Sequence, residues 1–345
     1  MKLKQWYIKL SAWEYWPMWI LYVPVFFQHF YLALKAKSLF FFLKVNPAIQ
    51  EGFILSDRKE NTLKLVPEPY KPKGFVAEKG INIQEVEALL RKHAIAFPII
   101  VKPNVGYRGL LVQQCKSKDE LSKIDFEKAS YLIQEYIDFP VEIGVFYYRF
   151  PNEKQGNIPS ITLKEFLSIT GDGKSTFEAL VKSKPRALLQ FKRLKEKFAS
   201  QWGEIVPNGK QVVLERIGNH NRGTKFINAN NLFDTQLLEV FDNLNFQMKG
   251  FYYGRFDIRA KSIEDLKQEK NFKILEVNGV GAEPTHIYDP NFKLINAWRE
   301  MLFLWKVAYK IALQNKEKGE EFPVFSEAKK RYLQYKSYKK VAFTD

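Results

Sequence analysis

Twenty consecutive residues, Tyr15 to Leu34, carry no charge in a chain whose formal net charge is +16. A helix of that length can cross a bilayer, so the run bears on whether the chain spans a membrane, lies on one, or packs entirely on itself. Its surroundings share the bias. The first fifty residues hold fourteen aromatics, four of the seven tryptophans, six lysines and one acid, Glu14. Three details argue against a span: Pro17 and Pro24 interrupt the run, Gln28 and His29 lie inside it, and Trp13, Trp16, Trp19, Tyr22 and Tyr31 are spread along the segment instead of gathering at two ends. Lys2, Lys4, Lys9, Lys35, Lys37 and Lys44 flank it, which suits a segment lying in a membrane interface. The competing expectation is a pair of buried helices packed on the main domain. The run is too long and aromatic for a signal peptide, and no small-residue cleavage site follows it.

With 46% hydrophobic residues, the 345-residue chain can bury a core, and its length suggests two packed units. A single cysteine, Cys115, excludes a disulfide framework and a cysteine-based zinc site, and fits a reducing compartment. The histidines at 29, 93, 220 and 286 lack metal-ligand spacing. From residue 46 onward short apolar runs alternate with charged amphipathic stretches. Helices are expected at 83–93, 119–124, 177–198, 235–244 and 298–313; strands at 97–101, 110–113, 131–136, 142–150, 212–216, 254–258 and 272–277. This order is an α/β or α+β enzyme pattern without an internal repeat. The stretch Lys329 to Lys340 is basic, with Tyr332, Tyr335 and Tyr338 at helical spacing, and predicts a basic amphipathic helix. No nucleic-acid motif accompanies the charge, so nucleic acid is not expected as a partner.

Three segments carry candidate chemistry. Phe97 to Gly109 reads as a strand ending at Lys102, then a loop with Gly106 and Gly109. A strand-end lysine beside freed backbone N–H groups suits a triphosphate, although many hairpins share that look. In strands the side chains alternate between faces, so in Arg255-Phe-Asp-Ile-Arg259 the residues Arg255, Asp257 and Arg259 share a face, as do Glu276 and Asn278 in Ile274-Leu-Glu-Val-Asn278. If the two strands pair, two carboxylates, an amide and an arginine converge, an oxygen-rich set suited to Mg²⁺ with substrate phosphates. The alternative is a solvated sheet face with ordinary ion pairs. Tyr131 to Ile137, with Glu142 beyond it, is a strand running into a linker that suits an adenine edge and ribose hydroxyls, or else a core strand with a charged end.

The order of these segments resembles the ATP-grasp superfamily, specifically carboxylate–amine ligases such as D-alanine–D-alanine ligase and the ATP-grasp part of cyanophycin synthetase, over residues 57 to 290. The resemblance implies an α+β ATP-grasp fold, two α/β subdomains clasping ATP, here behind an N-terminal aromatic helical segment. The expected organisation is an aromatic segment at 1–45, a truncated preceding region at 46–95, the ATP-grasp domain at 96–315 and a basic tail at 316–345. By the same resemblance, Lys102 and an upstream lysine, Lys59 or Lys64, bind nucleotide phosphates under the loop containing Gly106 and Gly109. Gln134, Glu135 and Ile137 would contact adenine, and Glu142 ribose. Arg255 would steady the tetrahedral intermediate, and Asp257, Glu276 and Asn278 would hold two Mg²⁺ ions.

Thr170 to Leu180 resembles the Gly-Asp-Gly segment of the cyanophycin-type members. Asn219 to Gly223 resembles their loop near the γ-phosphate, where Arg222 or Lys225 would serve. Glu283, Thr285, His286 and Tyr288 directly follow the metal strand and are expected at the substrate; for His286 a hydrogen-bonded structural role is equally open. The hinge between Ile137 and Glu142 is one residue longer than in the family, and Gly279 to Tyr288 is unlike the D-alanine ligases, so D-alanine is not the expected acceptor. The implied activity is ATP-dependent ligation of a small-molecule carboxylate to an amine through an acylphosphate. The implied location is cytoplasmic, peripheral at the inner face of the membrane. The alternative is a membrane-surface nucleotide-binding or regulatory protein without ligase turnover.

Overall fold

The computed structural model describes residues 1–49, 58–105 and 112–342. Gly106 and Gly109, expected over the phosphates, lie outside the described residues. Strands β1 (Gly74–Ala77), β2 (Ile99–Pro103), β3 (Gln113–Cys115) and β4 (Tyr131–Glu135) form an antiparallel sheet of order β1-β4-β2-β3. The helix Ile83–Lys92 opens with a capping box between Asn82 and Glu85. Its Val86 and Leu90 enter a core with Ile99, Val101 and Ile133. Because β1 pairs with β4 over four residues, this first sheet starts at Gly74, ahead of the boundary expected at 96.

The chain continues through β5 (Val141–Tyr148), β6 (Asn157–Glu165), β7 (Ser168–Thr170), β8 (Gln211–Val213), β9 (Lys225–Asn228), β10 (Tyr253–Ala260) and β11 (Phe272–Asn278). Five of these make a second antiparallel sheet, β11-β10-β5-β6-β9, while β7 and β8 form a two-stranded sheet of their own. Strand alternation divides the five-stranded sheet into two faces. Ile143, Val145, Ile161, Phe256 and Ile258 point into one core with Phe241 and Leu244 of the helix Thr235–Gln247. Each fully buried side chain of this kind contributes about 1.5–3 kcal/mol. A one-residue slip would exchange them for charges, so the register is fixed. The intervening polar residues turn to the opposite face.

Strand β6 is not among those expected from sequence, because Pro159 breaks its pattern. That proline sits where the β5–β6 register shifts between Phe146 and Tyr148, a place where a strand tolerates it.

The aromatic segment forms helices α1 (Lys2–Ser11) and α2 (Met18–Ala36). One face of α2 is core: Leu32, Ala33 and Ala36 pack with Leu304 and Val307, and Leu21 and Val25 with Ala297 and Met301, all from the helix Leu294–Glu317. Gln28 Nε2 donates to the Leu302 carbonyl at 2.8 Å, and Trp13 Nε1 to that of Phe292 at 2.8 Å. The other face exposes Trp19, Val23, Phe26, Phe27, Phe30, Tyr31 and Leu34, three or four residues apart. Helix α1 exposes Leu3, Trp6, Tyr7 and Leu10 in the same rhythm. No helix among the described residues is long and apolar enough to cross a membrane. The tail is helical over Phe325–Ala342, with Ala328 buried and Tyr332 exposed.

Candidate active site

A cleft of about 1160 Å³ lies between β2 and β4 of the first sheet and the polar face of the second. Among the described residues its lining holds eight Lys or Arg side chains against six carboxylates, an excess of positive charge that favours a polyphosphate.

The centre of the cleft follows directly from strand register. Arg259 of β10 stands opposite Glu142 of β5, and Lys164 of β6 lies one position beyond the Ile143–Leu163 pair, beside the same glutamate. Lys164 Nζ donates to Glu142 Oε1 at 3.1 Å and to Asp257 Oδ1 at 2.9 Å. Arg259 donates through Nε and Nη2 to Glu142 Oε2, each at 3.2 Å. Arg255 grips Asp257 through Nε at 3.2 Å and Nη2 at 3.0 Å. The result is an alternating chain, Arg259, Glu142, Lys164, Asp257, Arg255, in which each acid has a cation on either side. Burial alone would raise the Asp257 carboxyl, but Arg255 first and Lys164 next hold it well below the usual range. Burial would likewise lower Lys164, and Asp257 and Glu142 lift it above its ordinary value. The Gly218 backbone roofs this chain so closely that a Cβ there would come within 1.8 Å of Glu142 Oε1.

Beside the chain, Asp257 faces Glu276 across the β10–β11 pair, and Arg255 faces Asn278. Asn278 Nδ2 donates to Asp257 Oδ2 at 3.1 Å. The pairing therefore brings together the two carboxylates and the amide. Among the described residues no cluster of three His, Cys, Asp or Glu side chains forms a metal site. Two carboxylates with an amide nevertheless fit Mg²⁺, which takes few protein ligands and completes its shell from phosphates and water.

Lys102 ends β2 with its side chain buried, and Nζ donates to the Leu275 carbonyl at 2.9 Å. Lys59 Nζ lies 3.9 Å from Glu276 and also lines the cleft. Lys64 instead pairs with Glu60 on the exposed side of its helix. Of the two upstream lysines, Lys59 is thus the one at the cleft. Burial lowers the Lys102 pKa to about 8, with Glu276 opposing. Lys102 is protonated below that value and loses its charge above it. ATP affinity should therefore weaken as pH rises from 7.5 to 9.5, up to about tenfold per pH unit above 8 for a single proton. A titration of ATP binding across this range should show the loss in the parent, and Lys102→Arg should flatten it.

Gln134, Glu135, Tyr136 and Ile137 line the cleft where β4 ends. Glu135 accepts from the Lys73 N–H at 2.9 Å, and the Ile137 carbonyl accepts from Arg259 Nη1 at 2.9 Å, which fixes the linker.

Residues 74–145 match the family model of the RimK-like ATP-grasp domain. That stretch of the chain is similar to an ATP-grasp domain. The match covers β1 through most of β5, so Lys102 and the linker lie within it. Among solved structures, the chain is similar to a bifunctional glutathione synthetase from Pasteurella multocida, at 15% identity and TM-score 0.40, covering 74% of this chain and 38% of that one. It is also similar to D-alanine–D-alanine ligase from Bacillus anthracis (16%, TM-score 0.42, 75% and 69%). A third similarity is to VanG D-Ala:D-Ser ligase from Enterococcus faecalis (12%, TM-score 0.39, 72% and 61%). No curated protein sequence matches the chain.

Several residues expected in the ATP-grasp site point elsewhere. Arg222 Nη1 lies 3.8 Å from Glu215, and Lys225 Nζ 3.9 Å from Glu165; neither residue lines the cleft. Arg222 lies in the loop Asn219–Gly223 and Lys225 opens β9, and each side chain turns toward an acid, the buried Glu215 for Arg222 and the exposed Glu165 for Lys225. His286 is also outside the cleft. It is about 1% exposed, stands edge-on to Phe292, and burial lowers its pKa to about 4. Thr285 lines the cleft, and its hydroxyl donates to that of Thr162 at 2.9 Å. The Glu283 carboxylate accepts from Tyr22 and Tyr288 hydroxyls, each at 2.7 Å, and its carbonyl accepts from Arg255 Nη1 at 3.3 Å.

Residues not singled out from sequence fill the gaps. Lys164 takes the central position. Glu14, from the short turn Trp13–Tyr15, accepts from Arg186 Nη2 and lies 2.8 Å from His220 Nε2, so the aromatic segment holds the loop Asn219–Gly223 in place. The charge of Glu14, single in its segment, was the available signal; its partners 172 and 206 residues away were not.

Proposed function

We propose that the protein is an Mg²⁺-ATP-dependent ligase that joins a carboxylate to an amine through an acylphosphate, working at a membrane surface. The observation that carries the reading is the convergence of Lys59, Lys102, Asp257, Glu276, Asn278 and Arg255 on one positively biased cleft, one wall of which comes from the stretch similar to an ATP-grasp domain. A donor carboxylate oxygen attacks the γ-phosphorus and the bond to ADP breaks. The amine nitrogen then attacks the acyl carbon, the bond to phosphate breaks, and inorganic phosphate and a proton leave. Lys59 and Lys102 neutralise phosphate oxygens, and the linker at Gln134 to Ile137 orients the base. Arg255 faces the oxyanion that develops on the former carbonyl oxygen of the acyl group. Asp257, Glu276 and Asn278 would hold Mg²⁺, which when bound withdraws charge from the transferring phosphoryl group.

A second reading, nucleotide binding without turnover, rests on Asp257 being already neutralised by Arg255 and Lys164. ADP release by the purified protein, screened over carboxylates and amines with and without Mg²⁺, separates the two: ligase turnover needs ATP, metal and both substrates, whereas a binding protein releases none. For the membrane part, the exposed aromatic faces of α1 and α2 and the flanking lysines support attachment to an anionic bilayer. The full chain should float with phosphatidylglycerol vesicles in a density gradient. Its remaining at the bottom of the gradient would remove that part.

A further inference from the structure

The ligase reading leaves the acceptor undefined, and the aromatic segment bears on it. Met18, Trp19, Tyr22 and Phe26 of α2 line the same cleft as Arg255 and Asp257. Their spacing places them along one side of the helix. Trp19 and Phe26 also belong to the outer stripe, at 65% and 49% exposed, which continues through Phe27, Phe30 and Leu34. The apolar wall of the cleft thus runs out onto the surface of α2 with no charged residue before Lys35. From Trp19 to Leu34 this path is about 22 Å long. A water-soluble substrate gains nothing from such a path; a hydrocarbon chain does.

The inner end of the path has a definite chemistry. Glu283 is held between the Tyr22 and Tyr288 hydroxyls, and its backbone carbonyl touches Arg255. Burial, followed by the charge of Glu283, raises the Tyr22 pKa well above its usual value, so that hydroxyl stays a donor. A carboxylate flanked by aromatic rings suits an ammonium group, by charge and by contact with ring faces. The cleft volume of about 1160 Å³ exceeds the roughly 300–1,000 Å³ typical of one small-ligand pocket, so a nucleotide does not fill it.

Resting on the ligase reading above, we propose that the amine substrate is an amphiphile: its ammonium head meets Glu283 beside Arg255, and its hydrocarbon chain lies on the Trp19–Leu34 stripe of α2. The exposed face of α2 is then the route by which a membrane-resident amine reaches the cleft.

The test is calorimetric titration of the full chain, loaded with ATP and Mg²⁺, with butylamine, octylamine and dodecylamine kept monomeric, and with dodecanoate as an anion of equal tail. Affinity should tighten with chain length, by roughly up to fourfold per methylene that becomes buried, and dodecanoate should bind at least tenfold more weakly than dodecylamine, on the order of one charge-assisted contact. The variant Phe27→Ser/Phe30→Ser/Leu34→Ser alters only exposed positions outside the cleft. It should lose the gain from octylamine to dodecylamine, whose outer methylenes lie beyond Trp19 and Phe26, and keep butylamine binding. Glu283→Gln should weaken all three amines alike. Affinity independent of chain length, or an octylamine-to-dodecylamine gain that survives the triple variant, would overturn the amphiphile assignment; dodecanoate binding as tightly as dodecylamine would overturn the amine. Failure of ATP to bind, measured in the same samples, would count against the ligase reading instead.

Discussion

Asp257→Asn should lower turnover by at least about 100-fold, the usual cost of removing a group that stabilises transferring charge, while ATP binding without metal persists. The substitution preserves shape and removes one negative charge from the cleft. Metal-free ATP should bind at least as well as before, because the balance becomes more positive. The same change should destabilise the unliganded protein by about 3 kcal/mol, since stripping one partner from a buried ion pair leaves the other uncompensated. The stranded group is Arg255. It would keep the Glu283 carbonyl at 3.3 Å, the amide oxygen of the new asparagine and the more distant charges of Glu276 and Glu283, but no directly paired carboxylate, whereas Lys164 would keep Glu142. Urea denaturation at several pH values adds an independent reading. Because the folded pKa of Asp257 lies below its ordinary 3.8, its stabilising effect is complete above about pH 4 and fades as pH falls through the folded value. The stability gap between parent and variant should therefore close in acid. A variant that turns over like the parent would remove Asp257 from the metal set, and an unchanged denaturation midpoint would remove it from the buried ion chain.

Asp257 was legible in the sequence because its information is local. Arg255-Phe-Asp-Ile-Arg259 and Ile274-Leu-Glu-Val-Asn278 each read as a strand, and two such strands separated by a short helix make an antiparallel pair that sets Asp257 opposite Glu276, with a register shift just beyond, between Asp257 and Ile258, that the pattern did not announce. Lys102 was legible for a similar reason, as the last charged residue of an apolar run. Glu142 was placed at the cleft but its company was not foreseen, since its partners arrive from β6 and β10, 22 and 117 residues away. Arg222 and Lys225 show the opposite case. Loop sequence fixes where a backbone turns, but the direction of a long cationic side chain depends on which acid lies within reach, here Glu215 and Glu165. For α2, an apolar run read on its own has no inside or outside. Distant parts of the chain, chiefly the helix Leu294–Glu317, decide that Leu21, Val25 and Leu32 are core while Trp19, Phe26 and Phe30 are surface.

Lys164→Met should behave as the counterpart of Asp257→Asn, with a small effect on stability and a large one on nucleotide. Lys164 is the middle of the five-member chain. Its removal divides that chain into two neutral pairs, Glu142 with Arg259 and Asp257 with Arg255, each still joined by two hydrogen bonds. No charge is stranded, and methionine fills much of the lysine volume, so the unfolding free energy should fall by less than in Asp257→Asn. The cleft, however, loses a buried positive charge beside the proposed phosphate site. Losing one charge-assisted contact costs about 1.5–3 kcal/mol, roughly a 10- to 150-fold rise in Kd for ATP. Lys164→Arg, which keeps the charge, should restore most of that affinity. Lys164→Met would also relieve the competition of its ammonium with a metal for Asp257, so the remaining ATP binding should depend more steeply on Mg²⁺ than in the parent. Equilibrium dialysis with and without Mg²⁺ measures both quantities. If ATP affinity is unchanged in Lys164→Met while stability drops as far as in Asp257→Asn, then Lys164 serves the packing of the sheet and the phosphates bind elsewhere in the cleft.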